Sequence, residues 1–170
     1  MEIIDISSKL PWKGSMGRRK LSDIKYVVFH HDASLAPDVY DALSLYKNEA
    51  NYHIKKGWGH LGYSFRIARD GKCYQTVPLE EIGVHAGNYI YFKNSFGVCF
   101  DGSFDRQKPT DAQLKTLRDL MDKLAWHTHE LPGVTQKSFY VHKEVRLLPT
   151  YCPGDAIKAI VKGYRLTGKL

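Results

Sequence analysis

Tyr26-Val27-Val28-Phe29-His30-His31-Asp32-Ala33-Ser34 carries the strongest fold signal in the chain. Its apolar residues stand at consecutive positions without alternation, as expected for a strand covered on both faces inside a sheet. The run ends in two adjacent histidines, and an open α/β sheet places its chemistry at the C-terminal tips of such strands. Successive side chains point to opposite faces, so only one of His30 and His31 reaches a given site directly. Periodicity does not choose between them, because Val28 and Phe29 are both apolar.

Working outward, residues 38–56 read as a helix, with Val39, Leu43, Tyr46 and Ala50 on one stripe and Gly57 as terminator. Residues 63–67 and 72–77 flank Asp70-Gly71, a hairpin signal, and residues 80–91 are loop-like ahead of a strand over Ser95–Phe100. Thr110-Asp111-Ala112-Gln113 is a capping box opening a helix to about His129, with Leu114, Leu117, Met121 and Leu124 inward and His127 and His129 exposed at its end. Residues 139–142 read as a strand, and Asp155 as the cap of a last helix bearing Ile157, Ile160, Val161 and Tyr164. This order predicts one α/β domain, a central mixed β-sheet flanked by α-helices, over residues 24–170. Upstream, Lys9, Lys13, Arg18, Arg19 and Lys20 among Pro11, Gly14 and Gly17 predict an irregular basic arm over residues 1–23.

A chain of 170 residues is long enough for one domain with a sizeable core. A formal charge of +7 favours anionic partners, whether nucleic acid, anionic lipid or wall polymers bearing phosphate and carboxylate. No helix-turn-helix, zinc-finger or RNA-binding signature is present, so nucleic acid is not an expected partner. The acidic start, Met1-Glu2-Ile3-Ile4-Asp5, is unlike an export signal, and no apolar run approaches a membrane span, so the chain is expected to be made and held in the cytoplasm. Cys73, Cys99 and Cys152 make no disulfide framework, and Cys73 and Cys99 read as reduced core thiols.

The remaining cysteine has company. His142 in Val141-His142-Lys143-Glu144 is followed by Cys152 in Pro149-Thr150-Tyr151-Cys152-Pro153-Gly154-Asp155. Neutral imidazole and thiolate together serve a borderline-soft metal, zinc foremost, or a Cys-His nucleophilic pair. Zinc needs a further ligand, and the histidine pair at the end of the first strand is the candidate source.

These segments fall in an ordered series: His30-x-x-Ala33, Gly57-Trp58-x-x-Leu61-Gly62-Tyr63-x-Phe65-x-Ile67-x-x-Asp70-Gly71, His85-Ala86-Gly87, Asn94-Ser95-Phe96-Gly97-Val98, His142-x-Glu144 and Thr150-x-Cys152-Pro153-Gly154. From about Tyr26 onward, the chain resembles the type-2 N-acetylmuramoyl-L-alanine amidases, a family that includes phage lysozyme-type amidases and peptidoglycan recognition proteins. The resemblance implies their fold, one Zn²⁺ held by His30, His142 and Cys152, and hydrolysis of the bond between N-acetylmuramic acid and L-alanine in bacterial peptidoglycan. It selects His30 over His31. It implies a catalytic Tyr63, and puts His85 and Asn94 in the sugar-peptide groove. Thr150 falls where the phage branch has a catalytic lysine and the recognition branch commonly threonine. Asp32 departs from the family's usual serine or threonine and is expected to orient an imidazole. Glu144 is expected either to share the face of His142 or to pair with Lys143 or Arg146.

Three filled ligand positions leave a fourth open, the pattern of catalytic zinc. The favoured function is a monomeric phage or prophage endolysin that reaches the wall through membrane lesions, its basic arm engaging anionic wall polymers. The alternatives are a cytoplasmic amidase recycling soluble muropeptides, a non-catalytic peptidoglycan receptor, and a Cys-His peptidase.

Overall fold

The computed structural model describes residues 1–126 and 130–169. Among the described residues, six strands form one sheet: β1 (Ile3–Asp5), β2 (Tyr26–His31), β3 (Phe65–Ile67), β4 (Cys73–Gln75), β5 (Ser95–Phe100) and β6 (Phe139–Val141), in the order β1-β4-β3-β5-β2-β6. β3 and β4 pair antiparallel and the other neighbouring strands pair in parallel, so the sheet is mixed, as expected. The helices are α1 (Ala42–Lys55), α2 (Tyr89–Lys93), α3 (Asp111–Trp126), α4 (His142–Val145) and α5 (Asp155–Thr167).

The consecutive apolar run of β2 has the predicted meaning. It lies between β5 and β6, and Val27 to His31 are all buried. Val27 and Phe29 join one core with Phe96, Val98 and Phe100 of β5, Leu117, Leu120 and Met121 of α3, and Ile157 and Val161 of α5. Val28 belongs instead to a cluster with Ala86 and Val145. Full burial of a residue such as Phe29 contributes roughly 1.5–3 kcal/mol, so this two-sided packing holds the strand that carries the histidine pair.

The local signals hold in most places. Thr110 and Gln113 exchange the two hydrogen bonds of a capping box, at 3.1 Å each. Gly71 takes φ +85° in the turn between β3 and β4, where a side chain would be strained and a Cβ would crowd Ala112 at 3.0 Å. His127 and His129 lie outside the described residues.

Four expectations are corrected. Residues 1–23 are not an irregular arm: Ile3, Ile4 and Asp5 pair in parallel with Cys73, Tyr74 and Gln75, and Ile6 and Leu10 are buried with Tyr46 and Leu61. A three-residue edge strand has little propensity signal of its own, and its stability comes from its neighbour. Arg19 is buried and donates to the carbonyls of Leu79, Phe92, Lys93 and Ser95. The first helix starts at Ala42, capped by Asp41, whose side chain accepts from the amides of Leu43 and Ser44, so Val39 lies outside it, 91% exposed. The last helix is preceded by Gly154 at the cap, and Asp155 is its first residue. The strand after Phe139 stops at Val141, and His142 opens the single turn α4, so Glu144 accepts from the Val141 amide at 3.0 Å and pairs with Arg165 at 2.6 Å.

Candidate metal centre and active site

β2 and β6 are parallel neighbours in which Phe29 faces Val141, so the next residues, His30 and His142, emerge side by side at the strand ends. Their ring centroids are 4.4 Å apart. Cys152 arrives from the loop before α5, and its carbonyl accepts from the Lys143 amide at 3.1 Å, tying that loop to the first turn of α4. Ligand atoms of His30, His142 and Cys152 all lie within 4.8 Å of one another. His31 is on the other face: its Nδ1 accepts from the Phe104 amide at 2.9 Å, while its own amide donates to Cys152 Sγ at 3.3 Å.

The donor set fits a zinc ion. His142 Nε2 is buried with no hydrogen-bond partner, a lone pair aimed at nothing the chain supplies. Burial holds the His30 imidazole well below its usual range and brings His142 down to about 4, with Arg146 adding to the effect, so both are neutral, ligand-competent rings near pH 7. Burial also pushes the Cys152 thiol up to about 12, against the pull of the His31 amide. A nucleophilic Cys-His pair needs a thiol pKa lowered toward neutrality. Burial moves Cys152 the opposite way, and a cation beside it would favour the thiolate, which suits metal ligation better than the peptidase reading.

Tyr63 stands just before β3, half-buried, with its ring centroid 5.1 Å from that of His30. Burial raises its phenol well above the usual value, so the hydroxyl keeps its proton near neutral pH and is available to donate it. Thr150 Oγ1 accepts from the Cys152 amide at 3.2 Å, which leaves its hydroxyl proton free to donate. His85 is buried beneath the triad: its Nδ1 is 3.0 Å from His30 Nε2 and its Nε2 3.3 Å from Ser95 Oγ. Burial brings His85 down to about 3. Asn94 is placed differently, at the end of α2, where its side chain donates to the Ile90 carbonyl at 3.0 Å.

Asp32 does not reach an imidazole. It accepts from Arg66 at 2.5 Å and from the Gly102 amide at 3.0 Å, and the Arg66 guanidinium holds its carboxyl below the usual range against the cost of burial. Arg66 is fully buried, also pairs with Asp101 and Glu49, and lies 5.8 Å from the Tyr63 ring centroid. This ion cluster escaped the sequence reading. Its signal was a charged residue inside Phe65-Arg66-Ile67, a strand otherwise apolar, which demands buried partners. A cleft of about 430 Å³ opens beside Tyr63, lined by Asp32, Glu49, Tyr52, His53 and Trp58 among others.

Fold and site together define a single-domain α/β protein with two imidazoles and a thiol gathered at the C-terminal ends of parallel strands. The chain belongs to the N-acetylmuramoyl-L-alanine amidase family, whose model matches residues 20–155. It is 29% identical over 147 residues to a human N-acetylmuramoyl-L-alanine amidase, covering 83% of this chain but only 24% of that relative. It is 30% identical over 159 residues to peptidoglycan-recognition protein SC2 of Drosophila simulans, covering 91% of this chain and 83% of that protein. Among solved structures, the endolysin N-acetylmuramoyl-L-alanine amidase LysCS from Clostridium intestinale URNW superposes with a TM-score of 0.65 at 25% identity, over 95% of each chain.

Proposed function

We propose that this protein is a zinc-dependent amidase that cleaves the bond between N-acetylmuramic acid and L-alanine in peptidoglycan. The observation that carries the reading is the convergence of His30, His142 and Cys152 within 4.8 Å, with His142 Nε2 unpartnered. When bound, zinc supplies Lewis acidity to a carbonyl and lowers the pKa of water. The chain's own residues do the rest. Tyr63 directs its hydroxyl to the oxygen that gains charge as water adds to the scissile carbonyl. Thr150 supplies a second hydroxyl donor from the ligand loop, and the cleft lined by Glu49, His53 and Trp58 holds the substrate beside Tyr63.

Within the amidases we place the protein as a phage or prophage endolysin, made in the cytoplasm and reaching the wall through membrane lesions. The net charge of +7 suits anionic wall polymers, and the Clostridium relative is an endolysin by name. A non-catalytic receptor reading is disfavoured because all three donors are present. Mass spectrometry of digested peptidoglycan tests the activity. Free stem peptides beginning with L-alanine, lost on chelation and restored by zinc, are the expected result. Intact stems with peptidoglycan bound would establish the receptor instead, and cleavage of soluble muropeptides with intact sacculi untouched would favour a recycling enzyme.

A further inference from the structure

The His85 ring lies where the resemblance implies a substrate contact, yet both its nitrogens are engaged within the protein and it is only 6% exposed. The direction of these hydrogen bonds follows from one hydroxyl. Ser95 Oγ donates its single proton to the Tyr91 carbonyl at 2.5 Å. Its contact with His85 Nε2 at 3.3 Å is therefore an N–H donating to Oγ. A neutral imidazole has only one N–H, so His85 Nδ1 carries a bare lone pair, and at 3.0 Å it accepts from His30 Nε2. That leaves the proton of His30 on Nε2 and the lone pair on Nδ1, the atom 3.9 Å from Cys152 Sγ.

We infer that His85 is a positioning residue of the metal centre: by accepting the Nε2 proton of His30, it fixes the tautomer in which His30 Nδ1 is free to bind the ion. This rests on the zinc reading above. A second imidazole orienting a ligand imidazole fills the role that a carboxylate or carbonyl usually fills. The surroundings are built for it. A Cβ on Gly97 of β5 would meet His85 Cγ at 2.9 Å and Nδ1 at 3.1 Å, so the ring has space only because the strand carries glycine there. Arg19 donates to the Ser95 carbonyl at 2.5 Å, holding in place the residue that sets the direction of the chain of bonds.

The experiment measures zinc affinity of the full chain, by competition with a chromophoric chelator, for wild type, His85→Leu, His85→Asn and His30→Ala. It also records the long-range proton–nitrogen NMR spectrum of the metal-free wild type. Asparagine places an amide oxygen where Nδ1 stands and preserves the acceptor, whereas leucine removes it. The expected result is affinity about 10–100-fold weaker in His85→Leu, the range for losing such a partner, affinity near wild type in His85→Asn, and His30 protonated at Nε2. A His85→Leu protein that binds zinc as tightly as wild type, a His85→Asn protein as weak as the leucine variant, or a proton on His30 Nδ1 overturns the assignment. The NMR arm decides if His85→Leu does not fold. Failure of the zinc reading looks different: wild type binds no zinc, or His30→Ala retains it.

Discussion

Cys152 Sγ stands 3.9 Å from His30 Nδ1 across 122 residues of chain. Neither atom arrives by local structure: one sits at the end of an interior strand, and the other in a loop tied to α4 by the bond from the Lys143 amide to the Cys152 carbonyl. A thiol with its pKa near 12 facing a neutral imidazole is a pair that a divalent cation would complete.

His30→Ala, His142→Ala and Cys152→Ser each lose zinc and activity together, because three ligands leave no redundancy. His31→Ala keeps its zinc, since its ring faces Phe104 on the other side of the strand. Metal analysis of the purified variants checks both statements, and stoichiometric zinc in any of the first three contradicts the ligand set.

Tyr63→Phe keeps the ring beside His30 and removes only the hydroxyl. Turnover on peptidoglycan falls by about 10²–10³, the range for one oxyanion donor, with zinc content and folding retained. Thr150→Val lowers it further and non-additively with Tyr63→Phe, because both hydroxyls act on one oxygen. An unaltered kcat in Tyr63→Phe would return the residue to a packing role.

Deleting residues 1–19 lowers thermal stability as well as wall attachment. The deletion removes β1, the buried Ile6 and Leu10, and the Arg19 guanidinium that donates to four carbonyls. Added salt, which screens exposed charges beyond about 8 Å at physiological ionic strength, weakens attachment without lowering the melting temperature. A deleted protein as stable as the full chain would restore the detachable arm.

Metal-free protein loses stability as pH falls from about 6.5 toward 4. Burial holds His53 and His142 down to about 4 and His85 to about 3, so in this window the unfolded chain binds protons that the folded chain refuses. Stability is thus fully present above the unfolded value and lost as pH drops through the folded ones. His53→Asn, which keeps an acceptor for the Gly62 amide at the position of Nδ1, flattens part of this slope in a series of chemical denaturation curves. A slope equal to that of wild type would mean His53 is charged in the fold.

Local structure and the chemical types of the donors follow from the order of the residues alone. The two-sided apolar run of Val27 to Phe29, the capping box at Thr110, the Asp70-Gly71 turn and the Ser95–Phe100 strand all depend on neighbours within a few residues, and each stands where it was read. The donors were legible too, as two imidazoles and a thiol near turn residues. Periodicity leaves His30 and His31 equal and the resemblance points to His30, but the physical reason that His30 meets them lies in the folded packing. Pleating sets two opposite faces, but which face receives α4 and which receives α3 and α5 depends on packing between distant elements. The same reason hid β1, whose three residues become a strand by pairing with β4, and Arg66, whose charge is tolerable only because Asp32, Glu49 and Asp101 converge on it from separate segments. His85 belongs with them: its type was visible in the chain, but the direction of its hydrogen bonds exists only where Ser95 and His30 are folded against it.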